Sequence, residues 1–146
     1  MNLSPHFSLA EFAASAEAVR AGIDNSPPDS VIPALERTAL GLEAVRVRLG
    51  TAPITITSGY RCLALNRRLG SKDTSQHVLG QAADIICPRF GTPTQIVAAL
   101  RDSGIPFDQL ILEFAGSGNG WVHVSFSDHP RRMALEIDAQ GTRPLA

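Results

Sequence analysis

The chain has almost no charge imbalance. Thirteen Lys and Arg stand against fourteen Asp and Glu, for a formal net charge of −1. A nucleic-acid partner normally demands a basic face, because phosphate contacts dominate that affinity, so this class is disfavoured. Cysteine is scarce too. Cys62 and Cys87 are the two present, and without a Cys-x-x-Cys pair they build no cysteine framework. They read as buried apolar thiols, with Cys87 close enough in sequence to Asp84 to lie near it. Apolar runs are short, and nothing approaches the roughly 20 residues a membrane-crossing helix needs. The first twelve residues lack the basic start and apolar run of a secretory leader. Synthesis in the cytoplasm without a signal peptide is therefore expected.

What is present reads as one globular domain over residues 1–146, since 44% of the chain is hydrophobic and 18% charged. Ser8 and Glu11 have capping-box spacing, which predicts a helix over Leu9 to Arg20 that stops at Gly22. Asn25 to Asp29, with two prolines, is a turn. Ile32, Leu35, Ala39, Leu42, Val45 and Leu49 form one apolar stripe, so a helix over Ser30 to Leu49 is predicted, with Pro33 in its first turn and Gly50 beyond its end. Ile54 to Thr57 alternates and reads as a strand. A short helix over Leu63 to Leu69, a strand over Ala82 to Cys87 and a helix capped by Thr92 and Pro93 follow. Leu110 to Phe114 and Trp121 to Phe126 are strands joined across a Gly-rich turn. The tail past Pro130 is expected to add an edge strand or to pack loosely.

The chemistry concentrates in Ser75-Gln76-His77-Val78-Leu79-Gly80-Gln81-Ala82-Ala83-Asp84. Gly80 lets the chain turn so that His77 and Asp84 converge, and His123 lies downstream in Trp121-Val122-His123. Two imidazoles and one carboxylate make a three-ligand zinc site with a position left for water, the count of a catalytic rather than a closed structural zinc. Trp121, His123 and Ser125 share one face of their strand. With a turn centred near Gly118, Glu113 stands opposite His123, where a carboxylate can act as general base. One residue of slip would turn it away. Asp108, ahead of a strand, is a candidate partner for the second nitrogen of a metal-binding imidazole.

These residues resemble the zinc D-Ala-D-Ala carboxypeptidase and phage-endolysin peptidase family. Its Ser-x-His-x-x-Gly-x-Ala-x-Asp pattern is met at Ser75, His77, Gly80, Ala82 and Asp84, and its Trp-x-His strand at Trp121 and His123. Ser58-Gly59-Tyr60-Arg61 is similar to the family's Ser-Gly-Tyr-Arg segment. Phe7 to Phe12, Gly22 to Asn25 and Phe107 to Ile111 look like its small phage and prophage branch. The resemblance spans about Phe7 to Arg132. It implies that His77, Asp84 and His123 bind zinc, that Arg61 lies in the active site and engages substrate, and that the substrate is a peptide of bacterial peptidoglycan. Ser75 and Gln76 are then candidates to hydrogen-bond substrate or to fix the His77 loop, and Tyr60 and Trp121 to line the cleft and bind substrate or to join the core. One departure stands out: many relatives carry the catalytic Glu three residues before the last His, and here that position is Gly120.

The expected architecture is α+β, with N-terminal helices packed on a small antiparallel sheet that carries the zinc site. The expected activity is a zinc metallopeptidase, either a D-Ala-D-Ala carboxypeptidase or a lysin-like endopeptidase reaching the wall by phage-type export. A monomer is the default. The competing class is a non-catalytic module, in which zinc serves folding and the groove binds cell wall or a protein partner.

Overall fold

The computed structural model describes residues 1–146. Helix α1 (Leu9–Ala13) begins at the expected capping box, with Ser8 and Glu11 satisfying each other's backbone N–H. It stops sooner than periodicity suggests. Ala14 is extended, and Ser15 caps a second helix, α2 (Ala16–Ala21), which ends at left-handed Gly22. The cause is tertiary. The Phe12 carbonyl accepts the Tyr60 N–H, and the Ala13 carbonyl accepts from Asn25 Nδ2. These late carbonyls serve a neighbouring turn instead of a longer helix.

A 3₁₀ turn (Asp29–Val31) leads into α3 (Ile32–Arg48), which has Pro33 in its first turn. Strand β1 (Thr55–Ser58), helix α4 (Leu63–Arg68), strand β2 (Ala82–Ile86) and helix α5 (Pro93–Arg101) follow. Thr92 and Gln95 form a second capping box at the start of α5. Then come β3 (Gln109–Glu113), β4 (Trp121–Ser125), β5 (Met133–Asp138) and β6 (Gly141–Pro144). No helix is long and apolar enough to cross a membrane.

The fold is α+β, as expected, but the sheet is larger than expected and mixed. Its strand order is β1-β2-β4-β3-β5-β6. All pairings are antiparallel except β3 with β5. Chain direction explains the exception. Strand β4 runs back to the start of β3, so a strand that crosses from there to β3's free edge must run parallel to it. The tail thus supplies two strands rather than one edge strand or a loose end.

Alternation along the strands separates two faces. Ala83 and Ile85, Leu110 and Leu112, and Val122 and Val124 join one buried cluster with Leu35, Ala39, Leu42 and Val45 of α3 and Ile96, Val97 and Leu100 of α5. Gly41 of α3 is the point of closest approach, since a Cβ there would stand 2.4 Å from the Phe126 ring. The covering layer is therefore α3 with α5, not the N-terminal helices as a group; α1 packs beside β1 and its outgoing turn. The opposite face presents Asp84, His123, Glu113 and Trp121.

Candidate metal centre

Asp84 of β2 pairs directly with His123 of β4, so the ladder itself puts a carboxylate beside an imidazole. His77 reaches the same point from the loop before β2. Gly80, at φ +73°, makes the reversal, and its carbonyl is held by the buried Thr38 hydroxyl at 2.8 Å. His77 Nε2 lies 3.3 Å from Asp84 Oδ1, and His123 Nδ1 lies 3.1 Å from the same oxygen. The three donor atoms sit within 4.8 Å of one another. Donors bound tetrahedrally at about 2.0–2.1 Å stand roughly 3.3 Å apart, so these separations suit a zinc ion.

Tautomer and burial agree with that use. His77 Nδ1 donates to the Gly59 carbonyl at 2.7 Å, which leaves the Nε2 lone pair for a metal. His77, Asp84 and His123 are only 3%, 5% and 8% exposed. A buried carboxylate needs positive partners. Burial works to raise the Asp84 pKa, but the flanking His77 and His123 hold its carboxyl well below the usual range. His123 Nε2 is buried and has no hydrogen-bond partner in the chain. A two-imidazole, one-carboxylate set of this kind matches zinc chemistry.

The centre opens into a cleft of about 620 Å³ whose walls include Arg61, Gln76, Glu113, Trp121 and Arg131. Against this geometry the comparisons with known proteins are direct. The model of the family described as Peptidase M15 matches residues 5–125. The chain belongs to the peptidase M15 family. Over 87 residues it is 39% identical to the zinc D-Ala-D-Ala carboxypeptidase of Streptomyces albus G. The aligned stretch covers 60% of this chain and 33% of that protein, so the chain spans about a third of its relative's length.

Several site residues stand where the sequence suggests, and others do not. Glu113 faces the cleft, but it pairs with Trp121, while Ile111 stands opposite His123. The turn is centred at Ser117 rather than Gly118, because a 3₁₀ turn (Ala115–Ser117) is flanked by left-handed Phe114 and Gly118. A shift of two residues preserves the face, so Glu113 is a diagonal neighbour of His123. Its Oε2 accepts the Trp121 indole N–H at 2.5 Å, and the indole packs on Phe114 with ring centroids 5.5 Å apart. Burial, then the nearby Asp84 charge, push the Glu113 pKa above its ordinary value. Gly120 is closed to any side chain, since a Cβ there would meet the Phe114 and Glu113 carbonyl oxygens at 2.7 and 2.8 Å.

Arg61 lies in the cleft wall beside Asp84. Its Nε donates to Ser58 at 3.1 Å, its Nη1 to Asn66 and Ser71 at 3.3 Å, and its Nη2 lies 3.5 Å from Asp84 Oδ2. Burial lowers its pKa from the ordinary guanidinium value. Ser75 accepts the His77 backbone N–H at 3.2 Å and so shapes the ligand loop. Gln76 donates to Gln81 at 3.1 Å and Asp108 at 2.8 Å. Tyr60 is 6% exposed and belongs to the core, and it also lines a smaller cavity with Arg61, Asp84 and Trp121. Three sequence expectations are corrected. Asp108 touches neither imidazole; the Gly59 carbonyl takes the second nitrogen of His77, and Asp108 instead binds Gln76 and Arg131. Cys87 is buried against the Pro53 carbonyl, outside the metal cluster, and Cys62 is only half-buried.

Sequence reasoning missed Asn25. Its side chain donates to the Ala13 and Tyr60 carbonyls and accepts the Cys62 N–H at 2.7 Å. It thereby ties the end of α1 to the turn that presents Arg61 and the Gly59 carbonyl. Its place beside two prolines reads as an ordinary turn, and no local signal marks the long-range clamp.

Proposed function

We propose that this M15 peptidase hydrolyses peptide bonds in the stems or crosslinks of bacterial peptidoglycan, with zinc held by His77, Asp84 and His123. The observation that carries the reading is a buried two-imidazole, one-carboxylate centre with a free-edged carboxylate, Glu113, in the same cleft. Bound there, zinc supplies a Lewis acid that polarises the peptide carbonyl and makes water a nucleophile near neutral pH. Glu113 takes a proton from the attacking water at Oε1, because Oε2 is engaged by Trp121. It then returns that proton to the leaving amine. Trp121 holds the carboxylate in place while doing so. Arg61 steadies Asp84 and offers its remaining N–H to a substrate carbonyl. D-Ala-D-Ala cleavage and internal stem cleavage both fit this machinery, and action on the wall follows release from the cytoplasm in the manner of a phage lysin.

Glu113→Gln is the test. Zinc stoichiometry should be unchanged, while hydrolysis of purified peptidoglycan falls by about 10²–10⁴. Full hydrolysis by a zinc-replete variant would remove Glu113 from the role. Gly120, standing where many relatives have a Glu, favours one second reading, a zinc-stabilised wall-binding or protein-interaction module. That reading gains if wild-type protein holds zinc and never releases wall fragments. Mass spectrometry of fragments from defined peptidoglycan identifies the bond.

A further inference from the structure

A second arginine stands in the cleft, beyond the residues 5–125 that the family model matches. Arg131 lies just before β5, so it enters from the β3–β5 side of the sheet, whereas Arg61 enters from the β1–β2 side. The segment is built to aim it. Arg131 donates from its backbone N and Nε to Asp108 Oδ1 at 2.9 and 2.8 Å, and from Nη2 to Asp108 Oδ2 at 2.8 Å. Asp108 is 2% exposed and also accepts from Gln76. The next residue, Arg132, adopts a left-handed φ of +52° and lays its guanidinium over the Phe107 ring, 4.4 Å from the centroid. Successive arginines are thereby separated, one to the core edge and one to the cleft.

The two cleft arginines differ in what they have left to offer. Arg61 is 12% exposed and donates to Ser58, Asn66 and Ser71. The Arg131 side chain is 53% exposed, and its Nη1 makes no hydrogen bond within the chain. A guanidinium fixed along one edge, with N–H groups free on the other, is preorganised for an oxyanion at little further cost in side-chain entropy. A clamp serving only to fasten the β4–β5 loop has no need to stand in the cleft wall with one edge unpaired.

We propose that Arg131 is a specificity residue that binds a carboxylate of the substrate peptide through its free Nη1 edge. The inference rests on the peptidase reading for its ligand, a wall peptide. That carboxylate is either the peptide's C-terminal group or an acidic side chain along the stem, and both present the same pair of oxygens.

Equilibrium binding by calorimetry tests the proposal apart from turnover. The ligands are one stem peptide with its peptide links replaced by uncleavable ketomethylene isosteres and all carboxylates free, its C-terminal amide and its side-chain amide. Zinc-loaded wild type should prefer the free acid to one of the amides by about tenfold or more, as expected for a charge-assisted hydrogen bond. The amide that binds poorly names the carboxylate. Arg131→Gln should bind all three alike, and Arg131→Lys should keep a reduced preference. Since Arg131→Gln strips partners from a buried Asp108, the Asp108→Asn/Arg131→Gln double variant is measured alongside, with thermal unfolding as the check on folding. A preference that survives in the folded Gln variants, or a wild type that binds all three equally or none at all, overturns the proposal. If the free-acid preference is present and depends on Arg131 but wild type does not cut purified peptidoglycan, the specificity residue stands and the peptidase reading fails.

Discussion

Burial and the Asp84 carboxylate raise the Glu113 pKa, and the sign of the consequence follows from linkage. A carboxyl whose folded pKa exceeds its unfolded value binds its proton more tightly when folded. Stability is therefore lost as pH rises from the ordinary glutamate range through that raised value. In metal-free protein at neutral pH, Glu113→Gln should raise the melting temperature, while in the zinc form it should slow hydrolysis about 10²–10⁴-fold. On the proposed reading catalysis runs the other way, because Glu113 acts as a base only when ionised. The acid limb of kcat/KM should vanish in Glu113→Gln, and a pH–rate profile checks it. The neighbouring glycine has its own signature. Gly120→Ala forces a Cβ against two backbone oxygens, and overpacking of that kind costs about 1–3 kcal/mol. Denaturant unfolding should show that loss, and Gly120→Glu should fail to supply a base, since the hairpin must distort to admit it.

At the scale of elements, the turn between β1 and α4 links packing to chemistry. A Cβ at Gly59 would stand 2.6 Å from the Phe12 carbonyl oxygen and 2.8 Å from Phe12 Cα, so α1 and the turn meet backbone to backbone. The Gly59 carbonyl is also the acceptor that orients His77. Gly59→Ala should therefore act at a distance, lowering zinc affinity by about 10–100-fold, the usual effect of losing an outer hydrogen bond to a metal ligand. Competition with a chelating dye measures it, and unchanged affinity in a folded variant would break the link. Much of this level was legible in the sequence. The Ser8 capping box, the Thr92 cap, the α3 stripe and the β3–β4 hairpin follow from local signals. The break between α1 and α2 does not, because the carbonyls that end α1 are claimed by Tyr60 and Asn25, far along the chain.

For the whole molecule, the metal centre joins a loop, β2 and β4, three segments that only the folded state brings together. An ion bound there favours the folded state by mass action. Removing zinc by chelation should lower the melting temperature, and the shift should disappear in His77→Ala, which calorimetry with and without chelator resolves. The mixed sheet belongs to this scale as well. Nothing in the spacing of Met133 to Asp138 specifies a parallel neighbour; the free edge of β3 and the direction of β4 do.

Residue type and spacing were enough to identify the ligands. His77, Gly80, Asp84 and His123 are identifiable because a metal site needs particular donor atoms and a backbone that can turn, and both are written in residue type and spacing. The facing of Glu113 was also readable, since strand alternation survives a two-residue change of register. The remaining placements arose only on folding. It placed Trp121 on Glu113, withdrew Tyr60 into the core, spent Arg61 on Asp84 and its neighbours, and set Asp108 beneath Arg131 instead of beside an imidazole. Each of these outcomes depends on which polar group finds a partner across the fold. Burial makes that pairing obligatory, and local sequence carries no record of the partner.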